Sequence, residues 1–134
     1  MALTASGRPV LIGTVTLIAI DVVGGVLAVS SGVNTWGEAW GSQALLAAPL
    51  PMMVAQLVLA WLAARNVRPP VGRIAAILLA VICVISVLAG LFDGDMTGES
   101  MTTGSVLWGV VLIALTTIVG TLAVLRAKEL RRAD

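Results

Sequence analysis

The stretch IAAILLAVICVISVLAGLF, from Ile74 to Phe92, runs for nineteen residues without a charge. A helix rises about 1.5 Å per residue, so about 20 apolar residues cross the roughly 30 Å hydrocarbon core of a bilayer. Three further runs have the same character: Val10–Ser31, interrupted only by Asp21, then Ser42–Ala64 and Gly104–Leu125. None alternates polar and apolar residues as a membrane β-strand does. The expected fold is therefore all-α, a single membrane domain over residues 1–134 with four transmembrane helices in an antiparallel bundle. Composition agrees. The chain is 59% hydrophobic and 11% charged, with mean hydropathy +1.07, against about 25% charged residues in a soluble domain. So little polar surface cannot cover a particle in water, and the excess apolar surface needs lipid.

The connections, Gly32–Gly41, Arg65–Arg73 and Asp93–Thr103, are short enough to join antiparallel neighbours and too short for a soluble domain. Charge sets the orientation. All eight basic residues, Arg8, Arg65, Arg68, Arg73, Arg126, Lys128, Arg131 and Arg132, fall on one side of a four-pass arrangement. The other two loops carry Glu38, Asp93, Asp95 and Glu99 and no cation. The positive-inside rule places the basic side, and with it both termini, in the cytoplasm. Trp36, Trp40 and Trp108 then stand towards the outer boundary and Trp61 towards the inner one, where indole rings favour the headgroup level. Ala28-Val29-Ser30 loosely resembles a signal-peptidase site. The run before it is longer than a signal h-region and holds Asp21, so an uncleaved helix is expected. Arg outnumbers Lys seven to one among abundant Ala, Val, Gly and Leu, a mix associated with GC-rich bacteria, and the expected location is a bacterial cytoplasmic membrane.

Asp21 is the sharpest feature. It lies about halfway along the first span, where an ionised carboxylate costs about 2.5–3.5 kcal/mol on insertion scales. Taking up a proton or facing a hydrogen-bond partner lowers that cost. Gln56, in the antiparallel second span, reaches within about 5–6 Å of the same depth by counting rises, and a protonated Asp21 donating to its carbonyl satisfies both groups. This pair reads either as a proton or cation site in a transport path or as an interhelical hydrogen bond. Small residues mark close-packing faces: Gly24, Gly25 and Ala28 in the first span, Ala60 in the second, Gly109 and Gly120 in the fourth. Such faces serve packing within one chain or between copies. Pro49 and Pro51 are expected to kink or partly unwind the outer half of the second span.

Other signals are weaker. Asp93, Asp95 and Glu99 open like a calcium loop, but its twelfth position, which needs a bidentate Glu, is Gly104. The tail from Arg126 onwards suits a cytoplasmic helix end and anionic headgroups. Val26-Leu27-Ala28 recurs as Val87-Leu88-Ala89 and Gly37-Glu38 as Gly98-Glu99, which fits either a duplicated hairpin or chance in apolar sequence. One cysteine, Cys83, permits no intramolecular disulfide, and with no histidine there is no ordinary zinc ligand set. No nucleophile has a base, no glycine loop cradles a phosphate, and the net charge of +1 gives no reason for nucleic-acid binding. No metal or cofactor is expected.

These signals point to a multi-pass membrane protein without enzymatic activity, an accessory or oligomer-forming component whose partners are the bilayer, its anionic headgroups, and further copies or another membrane protein. The alternative is a small proton- or cation-coupled transporter or channel using Asp21. In having four short helices and an acid in the first, the layout resembles the small multidrug resistance transporters. Here the acid is Asp rather than Glu, no aromatic residues surround it, and the one-sided basic loops oppose insertion in both orientations. No family is assigned.

Overall fold

The structure is a computed structural model that describes residues 3–44, 46–65, 68–92 and 102–132. It is all-helical, with α1 Arg8–Ser30, α2 Leu50–Ala64, α3 Pro69–Phe92 and α4 Thr103–Arg132, and a short 3-10 turn at Glu38–Trp40. Among the described residues the extended backbone amounts to one isolated bridge between Leu3 and Arg65. Three helices, α1, α3 and α4, are long and apolar enough to cross a membrane, and α2 is a shorter apolar helix of fifteen residues. This is the construction of a membrane protein.

Each helix packs on the next, α4 returns to α1, and the α2–α4 diagonal is slight. Direction can be read from the contacts. Gly7 lies against Ala64 and Gly24 against Leu46, so α1 opposes the chain through α2. Gly120 meets Cys83 while Gly90 meets Ile113, so α3 opposes α4. The core is built of small and branched side chains: Val10, Leu17, Ala60, Leu79, Cys83, Val119 and Ala123 form one buried cluster, and Ala63, Ala75 and Ala76 another. Alanines let helix axes approach where lipid supplies no hydrophobic drive between helices. Large apolar side chains face outward on every helix, among them Ile12, Val54, Val84 and Val110. In water such exposure costs about 25 cal/mol per Å²; against acyl chains it costs little.

Helix boundaries depart from the apolar runs in three places. The second run is helical only from Leu50, not from Ser42. Pro49 has no N–H and sits in extended conformation (φ −56°, ψ 142°), while Pro51 falls in the first turn, where a missing N–H costs nothing. The prolines thus start α2, and the expected unwinding rather than a kink is what precedes it: residues 41–44 and 46–49 are non-helical apart from local turns. α3 begins at Pro69 rather than Ile74, with two prolines in its first turn. α4 continues past Leu125 to Arg132. α1 ends on Gly32 (φ +75°), with the Gly32 N–H bonded to the Val29 carbonyl and the Val33 N–H to that of Ala28. That is the Schellman closure a left-handed glycine permits.

Candidate functional site

Fifteen residues of helix make α2 about 22 Å long, short of the hydrocarbon thickness. Its first N–H groups and last C=O groups lack partners within the helix, and the rest of the molecule supplies them. A buried side chain of opposite charge stands near each end: Asp21 (3% exposed) from α1 and Arg126 (6% exposed) from α4.

At the N-terminal end, the Ala48 N–H donates to Asp21 Oδ1 at 3.0 Å. Ala48 immediately precedes the capping residue Pro49, so the carboxylate sits at the positive end of the α2 dipole, where an anion is stabilised. Two residues earlier, the Leu46 carbonyl accepts the Trp108 indole N–H at 3.1 Å. The non-helical segment comes this close because α1 offers Gly24 and Gly25. A Cβ on Gly24 would collide with the Leu46 carbonyl and Trp108 Nε1, and one on Gly25 would lie 2.6 Å from the Trp40 ring. Asn34 helps to hold the same segment, its Nδ2 donating to the Gln43 carbonyl at 3.0 Å.

At the C-terminal end, Arg126 Nε donates to the Ala63 carbonyl at 3.0 Å and Nη1 to Ser6 Oγ at 2.6 Å, with Glu129 Oε2 3.5 Å away. The Ala64 carbonyl accepts both the N–H and the hydroxyl of Thr4, at 3.1 and 3.2 Å. A cation and two further donors thus close the negative end of the same helix.

Asp21 and Gln56 do not form the hydrogen bond expected of them. Gln56 is 1% exposed, and its Oε1 has no partner among the described residues. The reason is geometric. Depth counting measured Asp21 from Val10 and Gln56 from Ala64, but Gly7 is what lies level with Ala64, so Asp21 stands fourteen residues and Gln56 eight residues from a common level, about 9 Å apart in depth. Asp21 meets instead the backbone ahead of the helix. Of the packing residues, Gly24, Gly25, Ala28 and Ala60 are buried, and Gly109 and Gly120 half-buried. The calcium candidates Asp93, Asp95 and Glu99 lie outside the described residues. Arg126 is not the headgroup anchor expected of a tail cation, because it turns inward to α2. Trp40 and Trp108 pack against or bond to protein; Trp36 is exposed with its edge towards Trp40, and Trp61 is exposed beneath the Arg65 guanidinium, 4.9 Å from its ring centre.

Arg126, Trp108 and Ser6 were missed as site residues. The available signal was the short α2 that the two prolines imply, whose ends need donors and acceptors from elsewhere. Membrane hydroxyls are largely spoken for: Thr14, Thr116, Thr117 and Thr121 each donate to the carbonyl four residues back. What this arrangement does chemically is hold peptide groups. No protein-family model, no curated protein and no solved structure matches the chain.

Proposed function

We propose that the chain is a non-enzymatic multi-pass component of a bacterial cytoplasmic membrane, an accessory or oligomer-forming protein whose four helices span the bilayer as an antiparallel bundle with both termini in the cytoplasm. One observation carries the functional part: Asp21, among the described residues the one buried carboxylate, accepts the Ala48 N–H just ahead of α2. That role is positional, and an amide performs it as well as a carboxylate, since Asn also offers a carbonyl oxygen. The orientation rests on the basic residues gathered at one end and on the positive-inside rule. The accessory role rests on that positional use of Asp21.

The second reading, a proton- or cation-coupled transporter using Asp21 and Gln56, is favoured by the unpartnered Gln56 Oε1 in the core. Reconstituted vesicles separate the two. Under the accessory reading, Asp21→Asn folds, and an imposed pH gradient drives the same basal leak through mutant and wild type. Gradient-driven flux in the wild type that Asp21→Asn abolishes would establish the transporter instead. Tags on the two termini should be reached from the same, cytoplasmic, side.

A further inference from the structure

A groove of about 410 Å³ opens between α3 and α4. Its walls are apolar, with Ile77, Val81, Val84 and Ile85 on α3 and Val124 on α4, and its end towards the chain termini carries Arg73, Lys128 and Arg131. Among the described residues no carboxylate lines it. The groove therefore has a long greasy part that continues into the apolar run of α3 and a cationic mouth at the end where the positive-inside rule places the cytoplasmic headgroups.

We infer that this groove holds one anionic phospholipid, its phosphate at Arg73, Lys128 and Arg131 and an acyl chain along Ile77, Val81 and Val84. Charge complementarity selects this occupant. A zwitterionic lipid brings its own cation to a mouth that already has three. A second copy of the chain has little to offer it: the described carboxylates are Asp21, buried in the core, Glu38, at the opposite end, and Glu129, beside Arg126. Arg73 from α3 and Lys128 and Arg131 from α4 line the same groove, while an acyl chain needs only hydrocarbon walls. Each basic residue near an anionic leaflet is worth about 1 kcal/mol, about fivefold in binding. Three together discriminate by about a hundredfold. The groove would then carry a lipid as part of the α3–α4 surface rather than as passing solvent.

The inference rests on the chain spanning the membrane, and one sample tests both. The full chain is reconstituted into nanodiscs of equal phosphatidylglycerol and phosphatidylethanolamine, and the lipid it retains on release is weighed by native mass spectrometry. One phosphatidylglycerol is expected on the wild type. Lys128→Gln and Arg131→Gln, both at exposed positions, should each lower retention about fivefold and the triple variant with Arg73→Gln about a hundredfold. Removing the same charge at Arg8, Arg68 and Arg132, all exposed and outside the groove, should leave retention unchanged. If the triple variant misfolds, the two single variants decide. Equal retention of both lipids, equal loss in the control, or a lipid-free dimer would overturn the groove assignment while leaving the membrane reading intact. A chain that does not enter nanodiscs would overturn the membrane reading itself.

Discussion

The two ends of α2 face the same difficulty, unpaired peptide groups deep in an apolar molecule, and meet it differently. At the C-terminal end the helix stops, and donors converge on its last carbonyls from α4 and from the N-terminal segment. At the N-terminal end the chain continues without helix, and side chains from α1 and α4 reach out to hold it, with two glycines clearing the space. The first end depends on a fixed charge, because a guanidinium does not lose its proton in a protein. The second depends on close backbone approach, with a carboxyl that can take up a proton. One end is thus sensitive to loss of a donor and the other to added volume.

Four substitutions test that contrast, and thermal unfolding in mild detergent ranks them. Arg126→Met removes a buried charged donor and leaves the Ala63 carbonyl and the Ser6 hydroxyl without it, so a loss of about 3 kcal/mol is expected. Gly24→Ala places a methyl group on the Leu46 carbonyl and should cost about 2 kcal/mol, whereas Gly13→Ala, whose Cβ would find ordinary contacts at 3.4 and 3.5 Å, should be near neutral. If Gly24→Ala proved as mild as Gly13→Ala, the non-helical segment would not be seated as described. Trp108→Phe keeps the ring but loses the indole donor, and should cost about 1 kcal/mol.

The smallest effect lies outside the core. Glu38 Oε2 accepts the Thr35 N–H at 2.8 Å, while the Thr35 hydroxyl receives the Glu38 N–H at 3.4 Å, a reciprocal pair of the capping-box kind that leads into the 3-10 turn. The Thr35 N–H and then its hydroxyl hold the Glu38 carboxyl below its ordinary 4.5. A depressed carboxyl contributes fully above its unfolded value and loses that contribution as pH falls through the folded one. Fluorescence of the Trp36–Trp40 pair should therefore be flat from about pH 7 to about pH 5 and change only on further acidification. Glu38→Gln should remove the change.

Apolar run length foretold helices in the right order, because crossing hydrocarbon needs both greasy side chains and intrachain hydrogen bonds, and the first requirement is visible residue by residue. The second is not. Residues 42–49 are apolar enough to look like part of a span, and only Pro49 and Pro51 hinted that the backbone there could not be a helix. With Gly7 level with Ala64, Asp21 lies beyond Gln56, and the expected Asp21–Gln56 bond gives way to Asp21–Ala48. Arg126 was misread for a related reason. At the end of an apolar run it looks like its neighbours Lys128 and Arg131, and only the Ala63 carbonyl, at the end of α2 beside it, turns it inward. Asp21 stood out from the start because a charge is conspicuous in a greasy run, whereas its partner is a backbone amide that every residue but proline possesses.

The notch that Gly24 and Gly25 make in α1 has a consequence for biogenesis. Leu50–Ala64 is too short to be delivered into lipid one helix at a time, since the peptide bonds ahead of it would enter bare. The acceptors and donors that clothe them come from α1 and, at Trp108, from α4, which leaves the ribosome after the other three helices. The first two segments are therefore expected to leave the translocation channel together as a hairpin. The part of that hairpin around Leu46 gains its final seat only after the fourth segment has been synthesised.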